Sequence, residues 1–315
     1  MTQTTLTRVL RRHQPEHAAP LPLTQRSQSE LSDVRPGEVE EIISVLSSAF
    51  TMAAILSIWF VLQVLLLGGI SEARSQNLLY AEFRTELAAA TAPTGPVVAP
   101  GKPVALLTIP KLGSTQVAVE GTGPGDLLAG PGHRRDTVLP GQQGVSLIYS
   151  RGSTYGAPFA GISALQVGDQ IISTTGQGRV VYTIVGVRRA GDPLRPFPTG
   201  TTSRLTITTT EGAGRMAGMR ASSVVYIDAE TPHGLPTPAG RPTQVPRSEL
   251  AMATDRGALP VLVLALTLLV ACTLAISAAR RRWSAARVWV VASPVALSLA
   301  WFTTDTVMRL LPNLL

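Results

Sequence analysis

Gly144–Phe159 reads GVSLIYSRGSTYGAPF, and its reading decides the fold. An apolar run from Val145 to Tyr149 stops at the polar turn Ser150-Arg151-Gly152-Ser153-Thr154. A β-prone run closed by Gly and Ser reads as a strand. Tyr-Gly-Ala-Pro-Phe follows, and Pro158 suits the first turn of a short helix over 157–165.

Outward from this stretch, short β-prone runs alternate with Gly and Pro. The pattern predicts strands at Val104–Ile109, Thr115–Glu120, Val145–Tyr149, Gln170–Thr174, Gly178–Arg189, Arg204–Thr210 and Ser222–Asp228. Many short strands with one or two short helices predict a mainly β domain over 104–229, a small closed barrel or sandwich. In the run 178–189, Val180, Tyr182 and Ile184 share one face, and Val181, Thr183, Val185 and Val187 share the other. Both faces are largely apolar, which predicts a strand buried on two sides, with a bulge or bend at Gly186.

The apolar residues outside the β region come in blocks. Residues 42–71 carry no charge, 257–279 form a second charge-free block, and 288–311 a third that Asp305 and Arg309 interrupt. A bilayer core takes about 20 apolar residues as helix, so three transmembrane helices are expected. The loop 280–287 between the second and third carries Arg280, Arg281, Arg282 and Arg287, which places it in the cytoplasm. The N-terminus is then cytoplasmic and the β domain extracytoplasmic. Residues 1–41 are polar and read as a disordered cytoplasmic tail. Residues 72–103 are an amphipathic stalk helix, with Leu78, Leu79, Phe83 and Leu87 at helical spacing, and a Pro-rich linker. Residues 230–256 are a second Pro-rich linker. The net charge of +7 is concentrated in that arginine loop, with no basic stripe interleaved with aromatics, so nucleic acid is not an expected partner. Cys272, the one cysteine, falls in the second apolar block, which excludes an intrachain disulfide.

Several pieces, in order, resemble the sortases, the transpeptidases that attach proteins to the Gram-positive cell wall. The resemblance is to the actinobacterial class E type. Leu106–Leu112 (LLTIPKL) looks like its first-strand Ile-Pro motif. Val119–Gly121 with Leu127–Gly132 (LLAGPG) and Thr137–Gly144 look like its Val-Glu-Gly and Gly-Pro-Gly-His segments. Gly168–Ile171, Thr175–Tyr182 and Leu205–Thr210 (LTITTT) look like its later hairpin and its Leu-Thr-Leu-Thr-Thr-Cys strand. The resemblance implies a sortase-like closed β-barrel.

It also implies three catalytic positions: a cysteine nucleophile, a histidine that moves protons and an arginine that steadies the oxyanion or the substrate. Here the cysteine position is Thr210, the histidine position Arg151, and the arginine position Ser222 or Ser223, with Arg220 nearby. A threonine hydroxyl without an adjacent base is a weak nucleophile, and a guanidinium is no general base. No residue is expected to be catalytic. His133 reads as a hydrogen-bonded loop residue and His233 as solvated, and no metal set or cofactor is expected. Glu120, Asp126 and Asp136 read as solvated loop acids. Arg151, Thr210, Tyr155 and Arg220 remain as groove residues that would hold an extended peptide without cleaving it; otherwise Arg151 is solvated or pairs with Glu211.

The reading is a membrane-anchored sortase-like pseudoenzyme, a binding or scaffold protein in cell-envelope or surface-protein assembly. Its expected partners are cell-envelope or membrane proteins. The alternatives are an atypical, cysteine-independent transpeptidase or hydrolase acting through Thr210 on cell-wall sorting signals, and a barrel that only spaces membrane from wall.

Overall fold

The computed structural model describes residues 54–212, 221–279 and 282–315, together with Ile43, Ser47 and Phe50. The tail 1–41, Arg220, Arg280 and Arg281 lie outside the described residues. The chain divides into two units, Met1–Ile55 and Leu56–Leu315. The described residues of the first, Ile43, Ser47, Phe50 and 54–55, are helical.

In the second unit, β1 (Pro103–Ile109), β2 (Ser114–Glu120), β3 (Gly132–His133), β4 (Gly144–Tyr149), β5 (Gln170–Thr175), β6 (Gly178–Arg189), β7 (Ser203–Gly212) and β8 (Ala221–Thr231) form one sheet. Its order is β1-β2-β3-β4-β7-β8-β6-β5, and pairing of β5 with β1 closes it into a barrel. All seven expected strands are present within a residue or a few at each end. β3, only two residues long, carries no periodic signal and is an addition. The barrel interior is filled by alternate residues, among them Val104, Leu107, Ile148, Ile171, Ile184 and Ile207, each with no exposed surface. Fully burying one such side chain contributes about 1.5–3 kcal/mol.

Two local expectations are corrected. β6 is buried on one face only: Val180, Tyr182 and Ile184 point inward, while Val181 is 43% exposed. A strand in a small closed barrel has its outer face in solvent, and β-branched residues there reflect strand preference rather than burial. The β6–β8 register does shift between Ile184 and Gly186, and the guanidinium of Arg195 packs where a Cβ at Gly186 would lie. The segment 157–165 forms turns and a 3-10 helix at Ile162–Ala164 rather than an α-helix. Ala157 and Gly161 both take positive φ, 41° and 78°, which no α-helix tolerates. Phe159, Ile162 and Leu165 still reach the core.

The stalk is α1 (Gly68–Ala88), continuous with helical residues 56–62 through a π-helical turn at Gln63–Leu67. It packs on the barrel wall, with Leu79 and Phe83 buried against Val117 and Val119. Leu78, expected on the same face, points away and is 64% exposed. The Gln76 amide docks like a peptide unit on β2 at Val117, ahead of the Val119–Gly132 pairing with β3. Its Nε2 donates to the carbonyls of Val117 (3.0 Å) and Ala129 (2.8 Å), and its Oε1 accepts from Val117 N–H (2.7 Å).

The second linker is pinned to the barrel: Leu235 bridges Gln142, Thr237 donates to the Gln143 carbonyl (2.7 Å) and Glu249 pairs with Arg135. It leads to α2 (Leu259–Ala279) and α3 (Ala285–Leu310), which pack on each other. Among the described residues two helices, not the expected three, are long and apolar enough to cross a membrane: Arg256–Ala279 and Ala286–Leu310. The first apolar block, 42–71, lies partly outside the described residues, and its described part from 56 on runs into the stalk as one helix. The third block extends past Asp305 and Arg309 to Leu310.

Candidate functional site

The site lies where β4 and β7 leave the barrel side by side. The two strands are parallel and in register, with Tyr149 opposite Thr208, and Ser150 N–H continues the ladder to the Thr208 carbonyl (3.0 Å). Two residues further along each strand stand Arg151 and Thr210, so the rim brings together the two positions that the sequence singled out. Gly152 permits the approach: a Cβ there would lie 2.2 Å from the Thr210 carbonyl oxygen.

Arg151 is buried, with 1% of its surface exposed, so it is not the solvated loop residue of the sequence expectation. Nor does it pair with Glu211, whose carboxylate is 3.3 Å from Arg189. Its Nη2 donates to the carbonyls of Pro124 (2.9 Å) and Met308 (3.4 Å), and its Nη1 to Thr154 Oγ1 (3.3 Å) and the Leu315 carbonyl (3.4 Å). The guanidinium lies 5.7 Å from the centre of the Tyr155 ring. Burial pushes its pKa down to about 10, the Tyr155 hydroxyl opposes that, and the group stays charged at neutral pH. Main-chain oxygens, the Thr154 hydroxyl and an aromatic face thus surround the guanidinium.

What fills the space in front of Thr210 is the chain itself. After α3 the backbone leaves the helix at Leu311 (φ −85°, ψ 156°), a conformation favoured before Pro312. Residues 312–315 form a turn, with Leu315 N–H donating to the Pro312 carbonyl (3.2 Å). The Leu314 carbonyl accepts from the Thr210 hydroxyl (2.7 Å) and from Gly152 N–H (3.0 Å). The Leu315 carbonyl accepts from Thr154 Oγ1 (2.6 Å) as well as from Arg151. Leu314 is fully buried against Leu127 and Tyr149, with Leu147 and Val224 at the edge. Asn313, also fully buried, donates through Nδ2 to the carbonyls of Thr122 (2.8 Å) and Leu250 (2.9 Å).

Tyr155 is buried and its hydroxyl donates to Asp305 on α3, so it links the same loop to the same helix. Of the remaining candidates, Ser223 pairs in register with Glu211, and the β7–β8 register shifts between Glu211 and Gly212. Arg220 lies outside the described residues. His133 is buried, with Nδ1 2.8 Å from Glu120 Oε2 and Nε2 2.8 Å from the Val138 carbonyl, so both ring nitrogens are engaged. His233 is exposed. The loop acids are held rather than solvated: Asp136 pairs with Arg134 (2.8 Å), and Asp126 accepts from Gly123 N–H (3.2 Å). Burial raises the Asp126 carboxyl to about 6.

Gly152, Thr154 and residues 308–315 were missed from sequence. The Gly152 signal was present, a glycine directly after the strand's polar turn. Nothing in the pattern of 311–315 says that it returns to the barrel.

Residues 107–226 match the family model described as the sortase domain. The match runs from β1 into β8. Solved structures similar to it include a sortase D5 transpeptidase of Clostridium perfringens, 22% identical, covering 50% of this chain and 97% of that one, with a TM-score of 0.39. A sortase of Actinomyces oris is 27% identical, covering 44% and 84%, with a TM-score of 0.37. Sortase E of Streptomyces avermitilis is 26% identical, covering 42% and 89%, with a TM-score of 0.34. No curated protein matches the chain. The family match begins after the stalk and ends before the second linker, so α1, α2, α3 and the segment that fills the groove all lie outside it.

Proposed function

We propose that this protein is a membrane-anchored sortase-domain protein that binds or scaffolds a partner in cell-envelope or surface-protein assembly and does not itself catalyse transpeptidation. One observation carries the reading: the Thr210 hydroxyl, at the position of the family nucleophile, is committed as a donor to the Leu314 carbonyl, with the arginine Arg151 buried beside it. An acyl acceptor there needs a base to take its proton, and among the described residues the hydrogen-bonding partners named at Thr210 and Arg151 are hydroxyls and backbone oxygens. The chain's one thiol, Cys272, is in α2, away from the barrel sequence. The two apolar helices and the Arg-rich turn between them support an anchored protein with its barrel outside the cytoplasm.

The test is a transpeptidation and hydrolysis assay of the full chain in detergent on peptides of the sorting-signal type. Thr210→Ala and the double variant Arg151→His with Thr210→Cys are run beside it. A silent wild type supports the reading. Turnover that disappears in Thr210→Ala, with a covalent acyl adduct on Thr210, would replace it with the atypical transpeptidase or hydrolase.

A further inference from the structure

We propose that residues 311–315 are a displaceable plug, and that the groove they fill is a receptor for a short turn-forming peptide of the Pro-Asn-Leu-Leu type. The proposal deepens the binding role above and rests on it for the groove's use. It differs from the sequence expectation, which placed an extended peptide there.

The contacts are of a kind that a separate peptide would reproduce. Two successive carbonyls, those of Leu314 and Leu315, are met by four donors of the barrel: Gly152 N–H, the hydroxyls of Thr210 and Thr154, and the Arg151 guanidinium. Main-chain recognition of this sort gives affinity without regard to which chain supplies the carbonyls. Specificity comes from two side-chain subsites. One is apolar and takes Leu314 between Leu127 and Tyr149. The other is polar and takes the Asn313 Nδ2 donors on the carbonyls of Thr122 and Leu250, while Asn313 N–H donates to the Ala253 carbonyl (3.0 Å).

The segment is also built to leave. The donors sit at the ends of β4 and β7 and in the loop after β4, whereas the occupant belongs to no helix or strand. It is joined to α3 through the Leu311-Pro312 step, so its withdrawal unwinds no regular element. A tethered occupant competes at an effective concentration of about millimolar or more. A free peptide therefore enters readily only once the tether's own contacts are weakened.

The probe is a fluorescein-labelled synthetic peptide with the sequence of residues 309–315, titrated by anisotropy against the full chain in detergent. Leu314→Ser empties the apolar subsite, and Asn313→Ala empties the polar one, both in the plug and not in the receptor. The expected result is at least tenfold tighter peptide binding by each variant than by the wild type, and none of a peptide carrying serine at the Leu314 position. Equal binding by all three proteins, or no binding by a variant that melts within a few degrees of wild type, overturns the proposal. If both variants fail to melt cooperatively, the segment is a structural staple and the proposal falls. The same variants go through the transpeptidation assay. Turnover in Leu314→Ser would end the non-catalytic reading and leave the plug standing, whereas absent peptide binding without turnover would end the plug alone.

Discussion

The hydroxyl of Thr210 donates to the carbonyl of Leu314 across 2.7 Å, joining the end of a barrel strand to a residue 104 positions further along the chain. That bond, with the three other donors beside it, makes the barrel and the segment after α3 parts of one structure.

Thr210→Val removes the hydroxyl and keeps the shape. The Leu314 carbonyl retains Gly152 N–H, so the loss is one hydrogen bond, about 1 kcal/mol. We expect a melting temperature lower by about 2–4 °C, with faster amide exchange confined to residues 312–315 and the loop 151–155. Unchanged exchange there would show that the bond holds nothing in place.

Arg151→Lys is expected to be worse than Arg151→Met. A lysine keeps a buried charge and cannot span the Pro124 and Leu315 carbonyls with one planar fork, while methionine removes the charge along with its desolvation. Breaking a buried charge's partners costs about 3–5 kcal/mol, and chemical denaturation of the two variants ranks them. The opposite order would mean that water reaches the site.

Glu72 is buried, and burial alone raises its carboxyl to about 7, well above the ordinary carboxylate value. A raised acid opposes folding when it ionises: its neutral form is compatible with the fold at low pH, and stability is lost as pH rises from the unfolded pKa through about 7. Glu72→Gln should therefore raise the melting temperature at pH 8 and leave it unchanged near pH 4. A gain of equal size at both pH values would contradict this assignment.

Gln76→Leu keeps the bulk of the stalk contact but strands the N–H and carbonyl of Val117 and the carbonyl of Ala129. Unsatisfied buried groups cost about 1–3 kcal/mol each. We expect a loss of about 2 kcal/mol or more by denaturant titration, and protease cleavage in α1. A variant as stable as wild type would mean that the stalk does not depend on this edge.

The barrel was legible in the sequence because its seven longer strands are short β-prone runs between Gly and Pro punctuation. The burial of β6 was misjudged because Val181 satisfies strand preference on an outer face as well as an inner one would, whereas Val187, beyond the register shift, packs against the core. The helix at 157–165 was misread because Pro158 suits a turn as well as the first turn of a helix, while the positive φ of Ala157 and Gly161 follows from how the loop must turn. The two rim positions, Arg151 and Thr210, were found by resemblance and stand together as the register of β4 with β7 requires. Their surroundings were not legible: apart from the Thr154 hydroxyl, the acceptors of Arg151 are main-chain oxygens, from Pro124, Met308 and Leu315. Carbonyls are contributed by every residue alike, so no letter in the sequence announces them.

The order of synthesis follows from the same contacts. Arg151 leaves the ribosome 157 residues ahead of Met308, whose carbonyl it binds. Domains fold as units while the chain is still being made. The barrel strands are thus all present, and free to close, well before α3 emerges. During that interval the guanidinium of Arg151 and the hydroxyl of Thr210 face water, and their dehydration is a late, separate step that waits for the hairpin of α2 and α3. A newly made barrel is accordingly an open one, and its groove is sealed by residues that arrive after it.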